Sequence, residues 1–159
     1  MSAPAAGIEV SGVSHRYGGE TVLHDIALSL PAGQTIALVG PDGVGKSTLL
    51  GLIAGVRKLQ SGRISTLGVD IGNRAAREAF LPRLAFMPQG LGKNLYPTLS
   101  LRENIDFFGC LFALDARTRP THITPLLNAT RPPPFPAPPP GKLSGGIMPK
   151  LILYSTLIH

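Results

Sequence analysis

The 159-residue sequence predicts an α/β fold organised around one buried strand. Residues 35–39 form a short apolar run with β-branched residues, which favours a strand buried in a parallel sheet. A glycine-rich turn follows, and residues 48–54 are apolar and compatible with a helix. Two alternating stretches, 8–13 and 21–30, predict half-buried strands of an antiparallel layer that precedes the central strand.

The turn fits the phosphate-binding pattern G-x-x-x-x-G-K-[ST]. A strand before it and a helix after it are the context that this pattern requires, although an ordinary glycine-rich turn is the simpler alternative. The predicted phosphate-binding residues are Gly40, Pro41, Asp42, Gly43, Val44, Gly45, Lys46, Ser47 and Thr48.

The chemistry of this pattern is direct. Glycines let the backbone curl tightly and turn its N–H groups inward, and the N-terminus of the following helix adds a positive dipole at the same place. Lys46 can reach the β- and γ-phosphates, so it is a candidate catalytic residue. The Ser47 hydroxyl is a candidate ligand of Mg²⁺.

Composition indicates a soluble globular protein of the reducing cytoplasm. Hydrophobic residues make up 43% of the chain, and a single cysteine, Cys110, excludes an internal disulfide. The first residues lack the basic and apolar regions of a signal peptide. No apolar run approaches the length of about 20 residues that spans a bilayer.

The net charge of +6 is concentrated in the last part of the chain. Residues 116–159 hold five Lys or Arg and no Asp or Glu. A basic tail can contact nucleic acid or anionic lipid. Here the charges are spread out, without interleaved aromatic residues, so a solvated tail is the preferred interpretation and no direct DNA binding is expected.

Several further elements follow the glycine-rich turn. Residues 62–71 predict a strand pair, and residues 74–80 a short helix. Residues 84–87 predict a second buried strand that ends at Pro88. Gln89 then lies at a strand end, where α/β sheets place ligand-binding groups, although a plain turn residue is the alternative.

A helix is predicted from about residue 97 to residue 114. Ser100 and Glu103 form an S-x-x-E capping box, in which each side chain satisfies a free backbone N–H group of the other residue. Phe107 and Phe108 are predicted core residues of this helix.

Composition shifts at residues 131–141, which contain seven prolines. Such a run forbids helix and favours an extended linker, with a proline-recognition ligand as the alternative. Beyond it, Ser144 can cap a helix whose first N–H groups are left open by Gly145 and Gly146, and this is a second candidate anion site. Pro149 fits poorly into such a helix.

Together these motifs resemble the nucleotide-binding domain of ATP-binding cassette (ABC) proteins. Residues 40–48 match that family's Walker A motif, and Gln89 matches its Q-loop glutamine. Residues 143–146, Leu-Ser-Gly-Gly, match the start of its signature. Tyr17 lies at the position of the adenine-stacking aromatic, although from the sequence pattern alone it is equally a rim residue of the β layer. The sequence of residues 87–96 is similar to the corresponding segment of ribosome-associated ABC ATPases and of export cassettes of ABC-2-type permeases.

The resemblance implies a P-loop NTPase fold of ABC type, with an antiparallel β layer, a partial parallel sheet and a helical subdomain. It divides the chain into a nucleotide-binding core (1–128), a proline-rich linker (129–141) and a signature-like segment (142–159). It implies ATP and Mg²⁺ as ligands, with Ser47 and Gln89 at the metal and Lys46 and Gln89 as catalytic residues. Ser144, Gly145 and Gly146 would contact the nucleotide of a second ABC domain. A membrane permease or the ribosome would be the further partner, which places the chain in the cytoplasm or at the inner face of the membrane.

The chain also departs from the family pattern. No Asp-Glu pair of a Walker B motif and no switch histidine follow the signature, and Asp115 is the last acidic residue. We therefore expect a C-terminally incomplete fragment of an ABC ATPase, or a non-hydrolysing nucleotide-binding or interaction module. A GTPase is disfavoured because the guanine-reading N-K-x-D motif is absent, and a small-molecule kinase because it leaves the Leu-Ser-Gly-Gly segment unexplained.

Overall fold

The computed structural model describes residues 6–87, 96, 98–111 and 114–130. The chain divides into two units, Met1–Leu84 and Ala85–His159. The first unit holds the antiparallel sheet and the glycine-rich turn, and the described residues of the second unit include two helices. The predicted linker and the signature-like segment lie almost entirely outside the described residues, so the predicted domain division stays a prediction.

The first unit is built on a long hairpin of β1 (Ala6–Tyr17) and β2 (Glu20–Pro31). Tyr17 pairs with Glu20, so that only two glycines form the turn. The sheet continues antiparallel through β3 (Arg63–Thr66) and β4 (Val69–Asp70), in the order β2-β1-β3-β4. The predicted antiparallel layer and strand pair are confirmed. Tyr17 is the last residue of β1, directly before the two-glycine turn.

Two helices accompany this sheet. Helix α1 (Lys46–Ile53) follows the glycine-rich turn, and α2 (Arg74–Phe80) follows β4 and leads into a 3₁₀ turn, Leu81–Arg83. Sheet and helices share one apolar core because the alternating strand residues and one side of α1 face each other. The core residues are Val10, Val13, Leu23, Leu49, Leu52, Ile53, Ile64, Ile71 and Phe80.

The second unit contains α3 (Leu101–Leu111) and α4 (Arg119–Thr130). The predicted capping box is present, since the Ser100 N–H donates to Glu103 Oε2 at 2.7 Å and the Glu103 N–H to Ser100 Oγ at 3.3 Å. Ile105 and Ile123 are fully buried, and Arg119 forms an ion pair with Asp106 at 3.0 Å. Phe107 and Phe108 are only half-buried, so the prediction that they are core residues was too strong.

Two predicted buried strands are not formed. Residues 34–40 and 84–87 have no strand assignment, and Val39 is 89% exposed. A strand of a parallel sheet is stabilised by hydrogen bonds to its neighbours, and the sheet of the described residues contains only β1 to β4. Conversely, residues 119–130 were assigned to a solvated tail and instead form α4, despite Pro125 within the helix.

Candidate functional site

The glycine loop, residues 40–45, leads directly into α1. Gly43 and Gly45 have φ of 80° and 93°, a left-handed conformation that side chains other than glycine's rarely adopt. Gly45 is also packed tightly, because a Cβ added there would lie 2.7 Å from Leu23 Cδ2 and 2.9 Å from the Val22 carbonyl oxygen. The glycine pattern thus meets a real backbone requirement at Gly43 and Gly45. Gly40 does not share it, because its φ is not positive.

The N-terminus of α1 has neither a side-chain cap nor an acidic residue in its first turn. Gly45 is the N-cap and provides no side-chain hydrogen bond, and the first turn contains no acidic residue. The first N–H groups of a helix have no partner within the helix, and the helix dipole adds about half a positive charge at this end. The loop and the helix start can therefore bind an anion.

Lys46 folds back over the glycine loop. Its Nζ donates hydrogen bonds to the Gly40 carbonyl oxygen at 2.7 Å and to the Pro41 carbonyl oxygen. The ammonium group is thus held beside the loop. A phosphate that binds here would pair with the Lys46 ammonium group by replacing the Gly40 and Pro41 carbonyl oxygens as its hydrogen-bond acceptors.

The two hydroxyl residues after Lys46 differ in environment. Ser47 is exposed in the first turn of α1. Thr48 is buried, and its Oγ1 lies 3.3 Å from the Tyr17 hydroxyl. Thr48 therefore connects the first turn of α1 to the end of β1, and Ser47 is the more exposed of the two hydroxyl residues.

Tyr17 lies beside the first turn of α1, and the residue is 44% exposed. Its ring contacts the buried His15 edge to face, with the ring centroids 4.8 Å apart. The Arg57 guanidinium carbon lies 5.6 Å from the Tyr17 ring centroid. Neither His15 nor Arg57 was singled out from the sequence, because neither belongs to a short motif that includes Tyr17.

The remaining predicted site residues, Gln89, Ser144, Gly145 and Gly146, lie outside the described residues. The structure thus brings Tyr17, the glycine loop, Lys46, Ser47 and Thr48 together within the first unit. The other four stay sequence predictions.

Among the described residues, no group of three or more His, Cys, Asp or Glu is arranged to hold a metal ion. A cation at this site would rely on the Ser47 hydroxyl and on oxygens of the bound anion, which suits the way Mg²⁺ accompanies phosphates.

None of the helices in the described part of the chain is both long and apolar enough to cross a membrane.

Comparison with known proteins identifies the class. A sequence model of the ABC transporter family matches residues 23–159. The chain belongs to the ABC transporter family, as the motifs predicted.

Relatives and solved structures agree with this assignment. The chain is 36% identical over 154 residues to the probable multidrug ABC transporter ATP-binding protein YbhF of Escherichia coli K12, with 95% of this chain and 26% of that protein covered. It is 32% identical over 158 residues to the Nod factor export ATP-binding protein I of Burkholderia lata, with 98% and 50% covered. A solved ATP-binding subunit of an ABC transporter superposes with a TM-score of 0.78 at 26% identity, with 95% and 61% covered. The predicted ABC-type P-loop fold is confirmed.

The chain spans only a quarter to a half of the length of these two curated relatives, at 26% and 50%.

Proposed function

We propose that this chain is the ATP-binding part of an ABC-type ATPase and that residues 40–48 bind the phosphates of ATP. The observation that carries this proposal is the combination of the glycine loop, the uncapped start of α1 and the Lys46 ammonium beside them. Backbone N–H groups and the helix dipole would hold the phosphates, and Lys46 would neutralise their outer charge. Tyr17 would stack on the adenine ring.

Mg²⁺ is the cation that this proposal includes. The Ser47 hydroxyl and the phosphate oxygens would hold it, with Gln89 as a further ligand. When bound, the ion neutralises phosphate charge and polarises the phosphoryl group. Lys46 and Gln89 are the proposed catalytic residues for ATP hydrolysis by the complete assembly.

The proposed role of that hydrolysis is transport. The relatives bear names of multidrug and Nod factor export proteins, which favours transport over a ribosome-associated task or a non-hydrolysing module. The proposed partners are a second ABC domain, contacted through residues 144–146, and a membrane permease subunit. The chain would then work in the cytoplasm, at the inner face of the membrane.

The test is a calorimetric titration of the full chain with ATP, with and without Mg²⁺, in parallel with Lys46→Ala. A hydrogen bond to a charged group contributes about 1.5–3 kcal/mol, so the variant should bind ATP roughly ten- to a hundredfold more weakly. Lys58→Ala is the matched control, because it removes the same charge from an exposed residue outside the loop.

Two results would contradict the proposal. One is the absence of ATP binding by a folded wild-type chain. The other is equal weakening in Lys46→Ala and Lys58→Ala, since this would indicate a general charge effect. A parallel titration with GTP measures whether the base contributes to affinity.

A further inference from the structure

The side chain of Tyr17 is held at two points besides its contact with His15. Its hydroxyl lies 3.3 Å from Thr48 Oγ1, in the first turn of α1. The Arg57 guanidinium carbon lies 5.6 Å from its ring centroid, within the range of a cation–π contact. The ring is thus fixed at its tip and covered on a face, while 44% of the residue stays exposed.

Arg57 is itself positioned by the last turn of α1. Its N–H donates to the Gly51 carbonyl oxygen at 3.0 Å. Its aliphatic stem passes across Gly51, where an added Cβ would lie 2.9 Å from Arg57 Cδ, 3.0 Å from Nε and 3.1 Å from Cγ. An added side chain at position 51 would therefore crowd the Arg57 stem on its path to the tyrosine.

The direction of this approach follows from the helix. Thr48 and Gly51 are three residues apart and therefore share a face of α1, with Gly51 one turn further from the glycine loop. Arg57 reaches the ring from the Gly51 side. Because Tyr17 is 44% exposed, its ring keeps surface for another planar group.

We propose that Arg57 is a specificity-determining residue for the nucleobase, which supports Tyr17 from the side opposite to the stacked base. This inference rests on the proposed ATP site. Arg57 acts through Tyr17, so it is a positioning residue, and Gly51 provides the space that it needs. The chemical class it favours is a nucleotide with an aromatic base, as opposed to a bare polyphosphate.

The test compares ATP with inorganic tripolyphosphate on the full chain. An exposed cation–π contact contributes about 0.5–1 kcal/mol, so the loss of its orienting effect can weaken ATP binding by at most roughly two- to fivefold. We expect Arg57→Gln to lose this factor for ATP and to bind tripolyphosphate as the wild type does. Gly51→Ala should show the same loss, because it displaces the Arg57 stem while the charge is kept.

Two further variants isolate the contact. Lys58→Gln removes a neighbouring positive charge and should leave both affinities unchanged. In a Tyr17→Leu background, Arg57→Gln should have no further effect on ATP, because the ring through which it acts is gone. Thermal unfolding of each variant checks that the fold is retained.

The outcomes separate this inference from the function on which it rests. If the wild type binds neither ATP nor tripolyphosphate in a Lys46-dependent way, both the proposed ATP site and this inference are wrong. If Lys46-dependent binding is present, three results would overturn the inference alone. These are equal losses for ATP and tripolyphosphate in Arg57→Gln, the same loss in Lys58→Gln, and a loss that persists without Tyr17.

Discussion

Gly45 is subject to two constraints at once, and both act at the level of a single residue. Its φ of 93° disfavours any side chain, and its Cα faces Leu23 and the Val22 carbonyl oxygen across a gap with no room for a methyl group. Gly43, with φ of 80°, has the first constraint only, because an added Cβ there would meet nothing within 4 Å. Two glycines of one motif are therefore required for different physical reasons, Gly43 by its backbone conformation and Gly45 also by close packing.

This difference gives a prediction. Gly45→Ala should lower the free energy of unfolding by about 2–4 kcal/mol, because it combines backbone strain with overpacking against β2. Gly43→Ala should cost only about 1–2 kcal/mol, from strain alone. Urea unfolding of both variants measures the difference. Equal losses would mean that the contact of Gly45 with β2 contributes nothing.

Single residues of the site differ in whether the sequence could predict their contacts. The motif predicted that residues 40–48 would adjoin a helix start, since the spacing of Gly, Lys and Ser reports local backbone geometry. The Thr48 contact with Tyr17 and the Arg57 contact with the same ring join distant parts of the chain. No local pattern encodes such contacts, so Arg57 could be found only from the structure.

Among the helices and strands, those whose ends and conformation are determined by neighbouring residues in the sequence were predicted correctly. Helix α2 spans Arg74–Phe80, as expected, and Asn73 caps it by accepting a hydrogen bond from the Ala76 N–H at 3.0 Å. Helix α4 was missed because residues 116–159 were interpreted from their scattered positive charges alone, which report solvation and not backbone conformation. Residues 35–39 were wrongly assigned to a strand because an apolar run specifies burial next to neighbouring strands, and these are not supplied by the described residues.

The capping box of α3 gives a prediction about pH. Hydrogen bonds from the Ser100 side chain and then from its backbone N–H hold the pKa of Glu103 below its ordinary value of 4.5. Because the folded pKa is the lower one, this stabilisation is complete above pH 4.5 and is lost as the pH falls through the folded pKa. We expect the stability of the wild type to fall below pH 4.5 by more than that of Glu103→Gln, whose amide does not titrate.

Urea unfolding between pH 3 and pH 7 is the measurement, and Ser100→Ala is the companion variant. Removal of the cap should cost about 1 kcal/mol at pH 7. It should also reduce the difference in pH dependence between Glu and Gln at position 103. Parallel pH profiles for the wild type and Glu103→Gln would show that the capping box has no electrostatic part.

At the scale of the whole molecule, the first unit leaves several large apolar side chains exposed. Ile36 and Leu38 are 46% and 44% exposed, and both line a groove of about 600 Å³ beside the sheet and α1. The same groove is lined by Leu28, Leu30, Leu49, Leu50, Ile53 and Leu67. Exposed apolar surface of this kind marks a site of association or an aggregation liability.

We therefore expect the purified chain to bind the hydrophobic dye ANS and to self-associate as its concentration rises. The double variant Ile36→Thr/Leu38→Thr should reduce both effects, because it makes one wall of the groove polar while leaving the buried core residues in place. Val56→Thr is the control, since Val56 is 50% exposed but does not line this groove. Dye fluorescence and sedimentation velocity provide the two readouts. If the double variant binds dye and associates as the wild type does, the groove is not the surface that causes dye binding and self-association. Residues 35–39, which were predicted to form a buried strand, would then be stable without a partner that covers them.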